Sequence, residues 1–524
     1  MDDQYIYKQN HPSKNDFHHQ TVRQKTGKTY AVESTSRWDK ERKTCICDRK
    51  VIGHFDPETG EILPNRKRKE STKQTAIAKS AGCSLLFDHA GEKTGLVSAL
   101  KKVYPNHWEK LLTCAYYLLA EGNALSHCEQ WTERNITPLN ERFPAQRIFE
   151  MLPDFNRDTQ MEFFQYWAHK IRENEYFALD ITSISSYSSL IKTVKYGYNR
   201  DKENLEQVNL GMVVGIKTGI PVYFHTYPGS IHDVSTLQQN LTVFDWLAYK
   251  KLHLVMDRGF CSKTNVSDLY AHGLRFTIAL SKSLSFTTDA IDEVRSSIHT
   301  YSHREVIADE EMFATTSLKE WDGHRCYTHV YYDPRKVSEE EAKFYRKIDV
   351  YYQELRSEKL NPEHQKFYDR FFTIERKQHV GRVVMPNDEA ILAFQNKYAG
   401  YSVIISNDLK DPVEALMVYR AKDRVEKSFD NLKNDLDGKR LRVRSEWAME
   451  GRMFVQFLSL ILASYIQRVM REKDLYKNYT MQSIIEEMKI LMRITLPRSR
   501  KVLYSELTAD QKRICEAFGI EAGA

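Results

Sequence analysis

Two short apolar segments that each end in one aspartate place the strongest constraint on the fold of this chain. Residues 176–179 run into Asp180, and residues 252–256 run into Asp257. Apolar runs of this length are typical of buried strands. An aspartate at a strand end often only caps a turn, so neither residue alone indicates a site. Two of them on neighbouring strands would bring two carboxylates to one edge of a sheet.

The elements around these segments predict an α/β sheet. Residues 208–216 and 221–226 read as a hairpin closed by Lys217-Thr-Gly219, and a helix follows over 234–246. The second aspartate strand leads into an amphipathic helix over 263–272 and a strand over 274–280. The order strand, strand, strand, helix, strand, helix, strand is the topology of the ribonuclease-H-like fold.

A later segment, residues 419–433, predicts a helix with an unusual polar face. It contains no Gly or Pro and follows Asp411-Pro412, which suits a helix start. Tyr419, Lys422, Glu426 and Lys433 are spaced so that all four lie on one face. This face suits a site that holds a metal ion and a nucleic-acid phosphate together. The alternative is a solvated face with a Lys422–Glu426 pair that contributes roughly 0.3 kcal/mol.

Taken in order, these motifs resemble the DDE transposases of bacterial insertion sequences. The resemblance lies with the group whose glutamate stands in a Tyr-x2-Arg-x3-Glu-x6-Lys signature, and Lys422 stands where that signature has Arg. Lys keeps the charge but loses the fork that grips a phosphate through two hydrogen bonds. The other matching segments are Asp180-Ile-Thr-Ser, Tyr227-Pro-Gly-Ser-Ile-His-Asp233, Asp257-Arg-Gly-Phe and Gly451-Arg-Met-Phe-Val-Gln-Phe.

The resemblance implies a metal-dependent enzyme that cuts DNA and transfers strands. Asp180, Asp257 and Glu426 would be its catalytic residues and would hold two Mg²⁺ ions, with Asp180 bridging both and Mn²⁺ able to substitute. Tyr419, Lys422 and Lys433 would face DNA phosphates. The implied fold is an α/β ribonuclease-H-like core, a mixed five-stranded sheet with helices, that carries an inserted domain and is preceded by a small β module and a helical domain.

Further DNA contacts are predicted from basic and aromatic residues. Residues 438–444 alternate cations with apolar residues, which favours DNA contact through Lys439, Arg440, Arg442 and Arg444 over a solvated edge strand. The dense basic run at 66–69 fits phosphate contact and a solvated linker equally well. Trp321, at a predicted turn, would stack on an unpaired base, and the alternative is an ordinary turn or core tryptophan.

A length of 524 residues predicts several domains. The N-terminal third shows short strand patterns and then helical periodicity, and more than 100 residues separate the last strand of the first core part from the glutamate helix. The predicted division is a β-rich module at 1–70, a helical domain for DNA-end binding at 71–150, core segments at 170–284 and 399–470, an inserted domain at 285–398, and a C-terminal helical region at 471–524.

The amino-acid composition restricts the possible functions only slightly. A net charge of +6, from 77 basic and 71 acidic residues, permits a nucleic-acid partner without arguing for one. The eight Cys include no CxxC pair, which predicts reduced thiols in a cytosolic protein. Residues 453–466 are apolar but too short to span a bilayer, so they predict a buried helix.

The expected protein is therefore bacterial and cytoplasmic, associated with the nucleoid when bound, and without a membrane partner. Its expected partners are double-stranded DNA, as element ends and target, and a second copy of itself on that DNA. Two alternatives stay open: a domesticated ribonuclease-H-fold DNA endonuclease, and a catalytically inactive DNA-binding relative. All three carboxylate positions are filled, which argues against the second.

Overall fold

The chain falls into two compact units, residues 1–76 and 77–524. The computed structural model describes residues 5–9, 18–23, 29–39, 43–56, 58–59, 61–64, 76–170, 175–188, 190–199, 203–231, 233–246, 252–307, 309–377, 381–496 and 502–521. The basic run at 66–69 and a second one at 498–501 lie outside these residues.

The first unit contains one antiparallel sheet whose strands lie side by side in chain order. Its strands are β1 Tyr5–Gln9, β2 His18–Arg23, β3 Thr29–Asp39, β4 Thr44–Phe55 and β5 Ile62–Pro64. All five fall within the predicted β-rich region 1–70. Gly53 is required where β4 meets β5, because a Cβ there would lie 2.3 Å from the Leu63 carbonyl oxygen.

The second unit mixes strands and helices throughout. Its strands are β6 Ile77–Ser80, β7 Tyr176–Ser186, β8 Gln207–Gly215, β9 Pro221–Pro228, β10 His253–Met256, β11 Arg275–Ala279, β12 Arg304–Ile307, β13 Glu310–Trp321, β14 His324–Tyr332, β15 Phe372–Lys377, β16 Gly381–Pro386, β17 Tyr401–Ser406, β18 Arg440–Leu441, β19 Met492–Thr495 and β20 Val502–Tyr504. Its helices are α1 Gly82–Thr94, α2 Leu96–Val103, α3 Trp108–Glu121, α4 Cys128–Arg134, α5 Ala145–Met151, α6 Arg157–Lys170, α7 Asp233–Trp246, α8 Lys263–Ala271, α9 Ser285–Val294, α10 Pro334–Ser357, α11 Gln365–Phe371, α12 Asp388–Tyr398, α13 Pro412–Arg420, α14 Asp423–Asn434, α15 Glu446–Glu472, α16 Met481–Lys489 and α17 Ala509–Phe518.

One large mixed sheet organises the second unit. β7, β8 and β9 form an antiparallel meander, while β10 lies parallel to β7 and β11 lies parallel to β10. The predicted order β7, β8, β9, α7, β10, α8, β11 is confirmed. The sheet is larger than the predicted five strands: β17, β14, β13 and β12 continue it beyond β11, and β18 adds to β7, which makes ten strands among the described residues.

The predicted inserted domain at 285–398 does not form one separate piece. Its strands β12, β13 and β14 extend the large sheet, since β14 pairs along its length with β17. Only the later part, 334–398, has a small hydrophobic core of its own, which includes Leu355, Tyr368 and Phe371. The strand pairing of the first part therefore makes it part of the sheet that carries the aspartates.

The long helix α15 is the centre of the second unit. Ser445 caps its start by accepting a hydrogen bond from the Ala448 amide, and almost every side chain from Ala448 to Ile466 is buried. It packs against α1, α3, α14 and β9. The helices predicted as a separate domain at 71–150 share this core with the sheet, so they are not an independent unit.

Within the described residues, α15 is the one helix that is long and apolar enough to cross a membrane, and 89% of its most apolar window is buried inside the protein. This burial fits the predicted core helix. The predicted C-terminal helical region at 471–524 contains α16 and α17, and it also contains β19, which pairs with both β6 and β20 and returns the chain to the start of the second unit.

Candidate active site

The parallel pairing of β7 with β10 brings the two aspartates side by side. Met256 lies opposite Leu179 in the register, so Asp257 and Asp180 follow at the next position of strands spaced by about 4.8 Å. The prediction that Asp180 ends its strand is wrong, because β7 continues to Ser186 through its pairing with β8. Asp180 is buried within β7, and its Oδ1 accepts a hydrogen bond from the Ile181 amide at 2.8 Å. β18 pairs with the same edge of β7, but only from Ser185 onward. Asp180 therefore lies in the gap between the residues of β7 that pair with β10 and those that pair with β18.

Asp257 ends its strand and begins the next turn. Its Oδ1 accepts from the Arg258 amide at 2.8 Å and so caps the short helix Arg258–Phe260. The same oxygen accepts from the Tyr419 hydroxyl, also at 2.8 Å. No described residue makes a hydrogen bond to Oδ2, which leaves that oxygen to face a cation.

The segment predicted as one helix over 419–433 is two helices. α13 starts at the expected place, with Asp411 accepting from the Glu414 amide and Pro412 in the first turn, but it ends at Arg420. Ala421 and Lys422 form a tighter turn before α14, shown by the bond from the Lys422 amide to the Tyr419 carbonyl. Both residues keep right-handed helical dihedrals, so the chain direction changes little.

The side chains that were predicted to share one face remain in contact across this break. The Lys422 ammonium contacts Glu426 Oε1 at 2.9 Å, and it lies 5.6 Å from the centre of the Tyr419 ring. Tyr419 in turn contacts Asp257. One chain of contacts therefore joins Glu426 on α14, through Lys422 and Tyr419, to the end of β10.

The electrostatics place Asp180 in the same group. Burial lowers the pKa of Lys422, but its bond to Glu426 and the charges of Asp257, Glu426 and Asp180 outweigh burial and raise that pKa. Lys422 as a whole is 8% exposed, and its ammonium contacts the Glu426 carboxylate. The charges of Asp180, Asp257 and Glu426 thus all act on the Lys422 ammonium.

Asp257 and Tyr419 have complementary protonation. Burial raises the pKa of Asp257, but the Arg258 amide, the Lys422 charge and the Tyr419 hydroxyl together bring it below the ordinary value. Burial and the Asp257 charge raise the pKa of Tyr419 far above its ordinary range. Asp257 is therefore an anion and Tyr419 a neutral donor near pH 7.

The carboxylate oxygens of these residues are chemically suited to bind a hard divalent cation. Carboxylate oxygens are the ligands that Mg²⁺ prefers, and Asp257 Oδ2 and the exposed Glu426 are available for this role. The part of the chain that the structure describes contains no group of three His, Cys, Asp or Glu side chains arranged to hold a metal ion. The Lys422 ammonium binds one of the candidate ligands, Glu426.

The predicted DNA-contacting cations differ in their availability. Lys439, Arg442 and Arg444 are exposed, and Lys433 is partly buried with electrostatic partners. Arg440 is already engaged, because it pairs with Glu203 at 2.9 Å and donates to the Tyr187 hydroxyl. Arg440 therefore holds Tyr187 in this structure, and its direct contact with DNA stays a prediction.

Trp321 does not present its ring to solvent. It is 6% exposed and stacks on Phe286 with ring centres 4.9 Å apart. The prediction that it stacks on an unpaired base is wrong for this structure, and the core alternative holds. The end of β13 packs against α9 through this ring contact. The turn residues that follow Trp321 in the sequence give no indication of the contact.

Sequence reasoning missed the residues that hold the basic segment in place. Arg452 on α15 is buried and binds Asp437 Oδ2 at 2.6 Å, and Gln456 donates to the Leu436 carbonyl at 2.8 Å. These contacts hold the turn that leads into β18. The sequence does contain an indication of these contacts, because Arg452 and Gln456, one helical turn apart, interrupt an otherwise apolar helix.

Comparison with known proteins gave a family match and a similar solved structure. A family model described as a transposase DDE domain matches residues 172–462, which contain all three carboxylates. A search of curated proteins gave no match. A solved piggyBac transposase synaptic complex with hairpin DNA is similar with a TM-score of 0.34 and 9% identity, covering 77% of this chain and 70% of that chain.

Proposed function

This chain belongs to the family of transposase DDE domains, and from that premise we propose that it is the transposase of a bacterial insertion sequence. It binds the ends of its element, cuts them and joins them to a target. The observation that carries the proposal is the contact chain from Glu426 through Lys422 and Tyr419 to Asp257, beside Asp180. A surface ion pair alone would not connect to Asp257, which directly follows the core strand β10.

The proposed catalytic core is ribonuclease-H-like. Its support is the sheet order β9, β8, β7, β10, β11, with the carboxylates at the β7 and β10 positions. The reaction is an in-line displacement at phosphorus. Water attacks the phosphate, the bond to the 3′ oxygen breaks, and that oxygen leaves as a 3′ hydroxyl. The hydroxyl then attacks a target phosphate and displaces the 3′ oxygen of the target strand.

In this proposal Asp180, Asp257 and Glu426 hold two Mg²⁺ ions, for which Mn²⁺ substitutes. The ions, when bound, activate the attacking oxygen and stabilise the leaving oxygen. The chain's own groups prepare for them. Tyr419 fixes the rotamer of Asp257 by binding one of its oxygens, and Lys422 neutralises the mutual repulsion of the carboxylates. Lys433 also faces a DNA phosphate, whereas the buried Lys422, predicted for the same role, is engaged with Glu426.

The proposed partners are double-stranded DNA, at the element ends and at the target, and a second copy of this chain on that DNA. Support for DNA is the exposed series Lys439, Arg442 and Arg444 beside β7. We assign the protein to the bacterial cytoplasm, on the nucleoid when bound.

The test uses purified chain and a plasmid that carries its gene with the flanking genomic DNA. With Mg²⁺, the expected result is cleavage at both flanks and joining to a second plasmid. Glu426→Gln should abolish both, while Glu414→Gln, an exposed glutamate on α13, should retain both. Cleavage without joining would favour the domesticated endonuclease. Binding without cleavage by the unmodified chain would favour the inactive relative.

A further inference from the structure

A pocket of about 450 Å³ lies where β7 ends beside β18. It is lined on one side by Tyr187 and Leu190 and on the other by Leu441, Arg442, Val443 and Arg444. It is distinct from the carboxylate group. Six residues of extended strand separate Asp180 from Ser186, which corresponds to about 20 Å.

The walls of this pocket are apolar and open. Tyr187 is 67% exposed and Leu190 is 70% exposed, whereas Leu441 and Val443 are buried and form the floor. Large apolar side chains exposed together at one place mark binding surfaces more often than chance exposure does. The exposed ring of Tyr187 and the aliphatic side chain of Leu190 both line this open pocket, which offers apolar surface to a flat ligand.

The rim of the pocket is cationic. Arg442 and Arg444 alternate with the floor residues and point away from the core, as their exposure shows. Arg440 lies 5.2 Å from the centre of the Tyr187 ring, donates to its hydroxyl and is held by Glu203. Tyr187 is therefore held in a fixed position before any ligand arrives, which reduces the entropic cost of stacking.

The neighbouring loop adds two exposed rings. Tyr196 is 66% exposed and Tyr198 is 82% exposed. The loop is tied to this end of the sheet, because Asn199 donates to the Ser185 hydroxyl at 3.1 Å and Gln207 donates to the Tyr198 carbonyl at 2.9 Å. Aromatic rings beside arginines are the features by which proteins bind unpaired bases and their phosphates.

We propose that this pocket binds one unpaired nucleobase of a DNA strand, stacked between Tyr187 and Leu190, with its flanking phosphates on Arg442 and Arg444. The inference rests on the proposed function for its ligand class. An open, apolar pocket with a cationic rim matches a base and its phosphates, whereas duplex DNA would meet only the rim. The distance of about 20 Å puts the base roughly three to six nucleotides from the reacting phosphate, at about 3.4 Å per stacked nucleotide and more when stretched.

The test measures binding of the full chain to a fluorescent single strand of twelve thymidines and to a fluorescent random duplex. Tyr187→Ala and Leu190→Ala, tested separately, should each weaken single-strand binding about fivefold or more. Each should change duplex binding less than twofold. Arg442→Gln should weaken both ligands and flatten the salt dependence. Tyr301→Ala, at a ring that is 85% exposed, is the matched control and should change neither.

A second measurement guards against misfolded variants. A single strand that carries 2-aminopurine should show quenched fluorescence on binding to the unmodified chain, and Tyr187→Phe should preserve the quenching, because the ring remains. Equal losses on single strand and duplex in the Ala variants, or no loss at all, would overturn the base pocket. Failure of the unmodified chain to bind any DNA would instead overturn the proposed function.

Discussion

Tyr419 donates a hydrogen bond of 2.8 Å to Asp257, across 162 positions of sequence. This bond connects the last turn of α13 to the end of β10. It also fixes one carboxylate oxygen and leaves the other open. The relation gives Tyr419 a positioning role at the site in addition to any contact with DNA.

Tyr419→Phe should therefore slow DNA cleavage while leaving the fold intact. A hydrogen bond to a charged group contributes about 1.5–3 kcal/mol, so we expect a loss of roughly 10- to 100-fold in cleavage rate. The measurement is single-turnover cleavage with the unmodified chain and the variant. Tyr301→Phe serves as the control. A Tyr419→Phe variant that cleaves at the original rate would show that Asp257 does not need this bond.

Asp180→Asn and Asp257→Asn should each reduce cleavage by about a thousandfold or more, because either change removes a ligand charge that stabilises the leaving oxygen. DNA affinity in a gel-shift assay should change little, since the basic segment is separate. Mn²⁺ should replace Mg²⁺, and Ca²⁺ should allow binding without cutting. Near-normal cleavage by either variant would remove that aspartate from the site.

The exposed arginines should determine the salt dependence of DNA binding. Arg442→Gln together with Arg444→Gln should reduce the slope of log affinity against log salt by about two, because each phosphate contact contributes about 0.9. Arg440→Gln should change the slope little, because Glu203 already neutralises Arg440. Fluorescence anisotropy at four salt concentrations measures this. Equal slopes for the double variant and the unmodified chain would mean that the segment makes no phosphate contact.

The ion pair between Arg452 and Asp437 should be important for stability. Both side chains are largely buried, and removal of one partner leaves the other charge unpaired, at a cost of about 3–5 kcal/mol. We expect Arg452→Gln to lower the unfolding free energy by this amount in urea titration. Arg468→Gln, on the same helix with a weaker surface pair, should cost less than about 1 kcal/mol. Similar costs for both would mean that the buried pair has no special role.

Stability should decrease as the pH falls from 6.5 towards 4, in part through His329. Its Nε2 lies 3.2 Å from the Leu409 carbonyl and its Nδ1 2.8 Å from the Thr316 hydroxyl, an arrangement that suits the neutral ring. Burial lowers its pKa from 6.5 to about 4. The unfolded chain therefore binds this proton first, which removes up to about 3 kcal/mol across that range.

His329→Gln should make the decrease in stability between pH 6.5 and 4 shallower, whatever its effect at pH 7.5. The measurement is urea unfolding at half-unit steps of pH. His127→Gln, at an exposed position, is the control. An unchanged pH slope in the His329 variant would show that this ring is protonated in the folded protein.

The sequence by itself determined the local elements that carry the site. Apolar runs specified β7 and β10, with Asp180 and Asp257 at their register, because burial of such runs leaves few alternatives to a strand. Asp411-Pro412 specified the start of α13 because a cap and a fixed φ angle act within one turn. The spacing of Tyr419, Lys422 and Glu426 then placed their side chains on one face of the helical segment.

Only the tertiary structure decided what those elements meet. The break after Arg420, the extension of the sheet by β12 to β14, the burial of Trp321 and the pairing of Arg440 with Glu203 all depend on partners far away in sequence. Periodicity describes which face of an element is apolar, but not which neighbour covers it. For the same reason the convergence of Glu426 on Asp180 and Asp257 was an inference from resemblance, and the contacts that link Glu426 to Asp257 through Lys422 and Tyr419 came from packing alone.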